Sequence, residues 1–341
     1  MKNLQYLVPQ GHTFTIDEER PFLITTEDLA HISRIGRLVH TLLEHTMYGL
    51  GESSHWVSSI LFNGLDMYYE ELGIAHPRIS PTLIRVDLMV DVQGNWKIAE
   101  IDPSNKHGIG FALATCYESQ AKEWQRLLSL IAAYVTEDVT IVLGRKEVFF
   151  RFEQRYFAKM LAKYTGKNVM VISEDQLTKK LEDGLILDFP FCYNPESREL
   201  LGRRFFRQPE DFINPPRHML GGKALMTLPY EYASWLESAG MSKTQIEELK
   251  TYLPPTYLGP FIGKEVFSSG AKGVFFDAVG KNTVFQKYIP QRAFLLDGAE
   301  KFIRMACFFV QDQLGELIVS ANTELPVHGG NTAVHYHVEV Q

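Results

Sequence analysis

The chain has 341 residues, 45% of them hydrophobic and 22% charged, with a formal net charge of −7. This is the composition of a globular protein large enough for two or three domains, and it lacks the basic footprint of a nucleic-acid binder. No run approaches the roughly 18 apolar residues of a membrane span. The opening MKNLQYLVPQGHTFTIDEER has no signal-peptide layout, and Cys116, Cys192 and Cys307 form no CxxC pair. A cytoplasmic protein with buried structural thiols is expected.

Residues 26–73 are predicted to be helical. Thr26 is placed to cap the first helix, Glu27 lies in its first turn, and Ile32, Ile35, Leu38, Leu42 and Leu43 recur at helical spacing. A second helix over 53–72 ends at Ala75-His76-Pro77. Two strands follow within LIRVDLMVDVQGNWKIAEIDPSNKHGIG, residues 83–110, and then a helix over 111–134. A strand at 140–143, a helix at 149–164 closed by Gly166, and strands at 168–172 and 185–189 suggest a small α/β unit with parallel pairing. No GxGxxG follows its first strand, so no dinucleotide site is expected there. Asn214-Pro215-Pro216 marks a boundary. Helical segments at 222–235 and 242–252 precede Pro254-Pro255, and strands are predicted at 261–267, 273–276, 283–289, 302–310 and 316–320.

The hairpin carries charges where a sheet is ordinarily apolar. Ile84, Val86, Leu88 and Val90 share one face, so Arg85 and Asp87 share the other, and Glu100 and Asp102 share a face with Ile98. A two-residue loop at Gln93-Gly94 pairs Val92 with Asn95, which sets Asp87 opposite Glu100 and Arg85 opposite Asp102. A turn at Gly94-Asn95 pairs Asp87 with Asp102 instead. Facing carboxylates repel by roughly 0.2–1 kcal/mol when exposed. The pattern is either a solvated sheet face or a cation site. In the second case, neutralising Asp87 or Glu100 leaves the metal-free protein as stable as before, or slightly more so. Hard carboxylate oxygens without paired His or Cys suit Mg²⁺, and Mg²⁺ held by few carboxylates usually also binds phosphates. Arg85 beside them suits an anionic substrate.

A second constellation lies downstream. Lys264, in FIGKEVF, precedes Ser268-Ser269-Gly270-Ala271-Lys272-Gly273. Such a loop between strands can fold its backbone N–H groups over phosphates, or be a plain hairpin turn. The GxxxxGK[ST] spacing is absent. Val284-Phe285-Gln286-Lys287-Tyr288-Ile289-Pro290 is a strand that stops at its proline; it either presents backbone groups to an adenine edge or is an ordinary edge strand. Arg304, in the apolar FIRMACFFV, needs a partner or an opening. It lines a cleft, or it pairs with Glu316 or Glu324. Arg217 and His218, near Lys223, either reach phosphates or hold a loop. His335-x-His337 has no third ligand in sight, so a non-metal pair is the plainer reading.

In order, these motifs resemble the ATP-grasp superfamily, most closely its circularly permuted branch, which includes glutathionylspermidine synthase and eukaryotic glutathione synthetase. The likeness covers residues 83–341 and is carried by Arg85-Val-Asp87 and Glu100-Ile-Asp102, which match that branch's R-x-D and E-x-N. It implies that Asp87, Glu100 and Asp102 bind Mg²⁺ and that Arg85 faces an acyl phosphate or substrate carboxylate. It implies that Lys223 and Lys264 are the ATP lysines, that Ser269, Gly270 and Gly273 cover the phosphates, and that Gln286, Lys287, Tyr288 and Ile289 form the adenine-facing hinge. Asp102 stands where the family has asparagine, which adds negative charge. Residues 103–110 also differ from the Ser-rich loop of glutathione synthetase, so glutathione is not inferred as substrate.

The fold expected from the resemblance is α+β, an ATP-grasp fold in circularly permuted order. It would comprise a helical N-terminal region (1–80), the metal-bearing hairpin and helix (81–135), a small Rossmann-like α/β domain (136–214) and the nucleotide-binding region (215–341). The expected activity is an ATP- and Mg²⁺-dependent ligase that joins a small-molecule carboxylate to an amine through an acyl phosphate, with Arg85 and Arg304 as catalytic cations. A small-molecule kinase on the same scaffold, or a nucleotide-binding regulator without turnover, are the alternatives. Neither nucleic acid nor membrane is an expected partner; a homodimer is the one protein assembly considered.

Overall fold

The computed structural model describes the chain apart from residues 53–54, 64, 104–106, 122–124, 181–182, 259–261, 266–273, 276–282, 326 and 328–332, with backbone alone at 55–56, 178–180, 262–265, 274–275 and 283. An eight-stranded mixed sheet forms the centre. Across it run Lys2–Asn3, Thr15–Ile24, Val334–Val340, Gln313–Asn322, Ala299–Val310, Leu83–Val90 and Trp96–Asp102, with Phe294–Leu296 paired to Ala299–Val310. Thr15–Ile24 and Val334–Val340 pair in parallel and the other neighbours antiparallel.

The Thr15–Ile24 strand lies in the region expected to be helical. Asp17 pairs with Tyr336 and Phe22 with Val338, so Glu18-Glu19-Arg20-Pro21 stands against His337 alone. The Asp17 carboxylate accepts from the N–H groups of Glu19 and Arg20. That charged bulge interrupts the alternation by which a strand is read from sequence.

Ile84, Val86, Leu88 and Val90 pack with Ile303, Met305 and Phe309 beneath the Thr26–Glu52 helix, which contributes Ile32, Ile35, Leu38 and Leu42. The helix lies close to the sheet at Gly36, where a Cβ would come within 2.0 Å of the Phe309 ring. Thr25, one residue before the predicted cap, closes a reciprocal pair: its hydroxyl accepts from the Asp28 N–H at 3.0 Å, and the Asp28 carboxylate accepts from its N–H at 2.9 Å. The second predicted helix is two, His55–Leu61 and Met67–Ile74. The one predicted over 111–134 is likewise two, Ile109–Glu118 and Gln125–Ala132. These cover part of the sheet's other face through Phe308, Val310 and Ile318.

Residues 139–214 hold a four-stranded parallel sheet in the order Val169–Ser173, Val139–Leu143, Leu185–Asp188, Phe212–Asn214. Its Arg151–Thr165 helix ends at Gly166 in the left-handed conformation (φ 72°). A small antiparallel sheet contains Val274–Phe275, Ile262–Glu265, Thr283–Gln286 and Thr256–Tyr257. The architecture is thus α+β. Among the described residues, no helix is long and apolar enough to cross a membrane.

Candidate functional site

One end of the central sheet carries the predicted charges. Asp87 pairs with Glu100, and Arg85 with Asp102. The expected register holds, but by a different route. The loop is Val92-Gln93-Gly94 rather than Gln93-Gly94. The Asp91 carboxylate accepts from the N–H groups of Gln93 and Asn95 at 3.0 and 2.8 Å, and Gly94 has φ +90°. That loop shifts the pairing by one residue, to Val90–Trp96 and Leu88–Ile98, and a bulge at Ala99 shifts it back. The bulge corrects a second expectation. Ile98 does not share a face with Glu100; Ile98 and Ile101 both enter the apolar core, and Glu100 and Asp102 face outward with Arg85 and Asp87.

Each carboxylate meets a cation. Arg304 pairs with Asp87 rather than with Glu316 or Glu324. The residue across from Asp87 is Ala306, and this small neighbour leaves room for Arg304 to reach diagonally. Arg85 Nε lies 3.1 Å from Asp87 Oδ1, and Arg85 Nη2 lies 3.4 Å from Asp102. Lys223, carried by the short 3-10 turn Lys223–Thr227, pairs with Glu100. Burial opposes ionisation of Glu100, but the charges of Lys223, Arg85 and Arg304 outweigh it and hold the carboxyl down at about 2. Burial likewise opposes the Arg85 charge, and Asp87, Asp102 and Glu100 keep it firmly protonated. On the sheet's other face, burial and then the Asp87 charge push the Cys307 thiol well up, as suits an inert core cysteine.

The Glu100 shift has a sign. Its folded value lies below the ordinary 4.5, so the stability it adds is complete above that pH and is lost as pH falls toward 2. A Lys223→Met variant, followed by circular dichroism through an acid titration, is expected to unfold at higher pH than wild type.

These ion pairs overturn one expectation. With Asp87 only 1% exposed and two guanidiniums against it, neutralising it removes attractions rather than relieving a repulsion. Among the described residues no group of three or more His, Cys, Asp or Glu side chains is gathered around a cation position. The donor set nevertheless fits Mg²⁺: the oxygens are hard, and Asp87 Oδ1 is buried without an aligned hydrogen bond.

The other predicted residues are placed as follows. Lys264 lies on the Ile262–Glu265 strand, opposite Val284; Ser269, Gly270 and Gly273 lie outside the described residues. The strand carrying Gln286 ends there, three residues earlier than predicted: the Lys287 N–H still reaches the Pro255 carbonyl at 2.8 Å in the same register, but a proline has no N–H to return the bond. Gln286 is buried and its amide donates to Thr256 Oγ1 at 3.2 Å. Tyr288 is exposed and Ile289 half-buried. The Val92 N–H then donates to the Pro290 carbonyl at 3.1 Å and the Arg292 N–H to the Val90 carbonyl at 2.9 Å, tying this segment to the tip of the acidic hairpin. His335 and His337 are buried apart from the cation cluster; His335 Nδ1 lies 3.0 Å from Ser320 Oγ, and His337 Nε2 lies 3.2 Å from Glu339.

Sequence reasoning missed Glu153. This fully buried carboxylate of the Arg151–Thr165 helix accepts from the Gly108 and Gly110 N–H groups at 3.3 and 2.8 Å, anchoring the start of the Ile109–Glu118 helix. The adjoining His107 carbonyl accepts from Arg85 Nη1 at 3.2 Å. The available signal was a carboxylate in line with Phe157 and Leu161 on that helix's apolar face. Gly110 allows the contact, since a Cβ would stand 2.0 Å from the Glu153 carbonyl oxygen. Gly110→Ala is therefore expected to cost about 1–3 kcal/mol in urea unfolding, as an overpacked core site does.

No protein-family model and no curated protein matches the chain in sequence. Its fold, however, is shared by a solved structure: a glutathione synthetase-like effector from Globodera pallida in its apoform aligns with a TM-score of 0.61 at 8% identity, covering 99% of this chain and 93% of that one. A gamma-glutamylcysteine synthetase candidate from Methylobacillus flagellatus aligns with a TM-score of only 0.33 at 10% identity, covering 90% of this chain and 85% of that one, and adds no weight.

Proposed function

We propose that the chain is an ATP-dependent carboxylate–amine ligase of the ATP-grasp type, in the circularly permuted order. The observation that carries this is the acidic hairpin: Asp87 faces Glu100 and Arg85 faces Asp102 on one sheet face, with Lys223 and Arg304 converging on the same carboxylates. The shared fold with a glutathione synthetase-like protein supports it. Asp87, Glu100 and Asp102 would hold Mg²⁺, which when bound neutralises phosphate charge. Arg85 and Arg304 would bind and orient the substrate carboxylate and steady negative charge that develops there. Lys223, Lys264 and the loop bearing Ser269, Gly270 and Gly273 would hold the triphosphate, and Gln286, Lys287, Tyr288 and Ile289 would border the adenine. An amine would displace phosphate from the activated carboxylate, giving an amide, ADP and phosphate.

The test is a phosphate-release screen with Mg-ATP over matrices of acids and amines, with hydroxylamine as a surrogate amine. Turnover is expected only with an acid and an amine together, and hydroxylamine is expected to trap a hydroxamate. A stable phosphorylated product without an amine would indicate a kinase. Nucleotide binding without turnover would indicate a regulator, and release of AMP and pyrophosphate would exclude the phosphoryl-transfer route.

Lys264→Met is expected to weaken binding of a non-hydrolysable ATP analogue in calorimetry while the protein stays folded, because Lys264 just precedes residues 268–273, to which the ligase reading assigns the phosphates. Unchanged affinity in a folded variant would remove Lys264 from the site.

A further inference from the structure

The six charges of the cluster sum to zero: Asp87, Glu100 and Asp102 against Arg85, Arg304 and Lys223. The cations are not held alike. Arg85 and Arg304 sit on strands of the central sheet, and the register fixes them beside their carboxylates. Lys223 comes from outside the sheet, from a short turn just after Gly221-Gly222. Its ammonium, on a flexible four-carbon stem, is a point charge that can change partner without moving the backbone. Glu100 lies on the strand face away from the core residues Ile98 and Ile101, its side chain 24% exposed. A divalent cation approaching it meets the Lys223 ammonium at the same oxygen, and like charges at that separation repel.

We infer that Lys223 is a counter-ion switch. It occupies Glu100 until a nucleoside triphosphate arrives and then transfers to the phosphates, so that divalent metal binds with the nucleotide and not before it. This rests on the ligase reading above, in which one ammonium has two duties it cannot perform at once. The charge balance gives the direction. With Lys223 on Glu100 the cluster offers a free dication no net attraction. With Lys223 drawn to phosphate, Glu100 is released beside a ligand that brings its own negative charge.

Calorimetry with manganese(II) as the probe tests this on the full chain. One titration uses MnCl₂ alone, the other the preformed complex of Mn²⁺ with a non-hydrolysable ATP analogue. Wild type is expected to bind the complex and to bind Mn²⁺ alone at least about tenfold more weakly. Lys223→Met is expected to bind Mn²⁺ alone about tenfold or more tightly than wild type does, while losing affinity for the complex. Lys223→Arg, which keeps the charge, is expected to match wild type with Mn²⁺ alone, and Glu100→Gln in the Lys223→Met background to erase the gain. If Lys223→Met binds Mn²⁺ alone no better than wild type, while wild type still takes the complex, the switch is overturned and the metal site stands. If wild type binds Mn²⁺ alone as tightly as the complex, the switch is overturned whether or not the variant folds. If folded wild type takes neither, the metal site itself fails, and the switch with it.

Discussion

Asp87→Asn is expected to destabilise the ligand-free protein by about 2–4 kcal/mol and, if the ligase proposal holds, to abolish turnover as well. Asp87 is buried at the centre of the cluster, with Arg85 Nε at 3.1 Å from Oδ1 and Arg304 paired to Oδ2. An amide keeps the shape and one acceptor but removes the charge that compensates two guanidiniums. Arg85 retains Asp102, whereas Arg304 loses the carboxylate it pairs with directly; the nearby charge of Glu100 and partial exposure to water soften the loss. A double-mutant cycle separates this from a general packing effect. Arg304→Met in the Asp87→Asn background should recover part of the stability, since removing both members of a buried pair costs less than stranding one. The measurement is urea unfolding in EDTA. If Asp87→Asn unfolds at the wild-type midpoint without metal, the pairs contribute nothing and the repulsion inferred from the facing carboxylates was the better guide.

That reversal shows what the hairpin sequence could and could not disclose. Alternation over 84–90 was sufficient to put Arg85 and Asp87 on one face, since the period of a strand is strict. The pairing of Asp87 with Glu100 was also legible, although two deviations cancel to produce it: the Asx turn of Asp91 and the bulge at Ala99. The partners were not legible. Arg304 and Lys223 lie more than a hundred positions away along the chain, and only the neighbouring strand and the turn after Gly222 bring them in. Local signals therefore located the carboxylates, while the long-range contacts fixed the sign of their electrostatics. Three of the four strands of the small parallel sheet were legible for the same local reason: those at 139–143 and 169–173 are short apolar runs with Gly166 ending the helix between them, whereas the three-residue strand Phe212–Asn214 was not read. The Thr15–Ile24 strand was not, because its charged bulge against His337 erases the period.

Arg217→Met is expected to cost about 3–5 kcal/mol, the largest loss of stability among these substitutions. The sequence left Arg217 a choice between phosphates and a loop, and the structure gives it a loop. Its guanidinium is fully buried and donates to the carbonyls of Leu72, Gly73, Ala75, His76 and Ile79 at 2.8–3.2 Å. Those oxygens belong to the last turn of the Met67–Ile74 helix and the chain that leaves it, where a cation also opposes the negative end of the helix dipole. Burial pushes the guanidinium down to about 9, so at neutral pH it is still a cation. Methionine fills much of the volume but leaves these acceptors unsatisfied. Lysine keeps the charge but has three donors and no planar fork, so Arg217→Lys should fall between the two. The consequence extends to the site, since Arg217 lies six positions before Lys223, and the turn at His218–Gly221 separates them. Loosening Arg217 should free that turn and weaken binding of a non-hydrolysable ATP analogue, even at temperatures where Arg217→Met remains folded. Urea unfolding and calorimetry on the same preparations decide it. Wild-type stability in Arg217→Met would show that water replaces the guanidinium at those carbonyls. Lost stability with unchanged nucleotide affinity would show that Lys223 is positioned independently of this anchor.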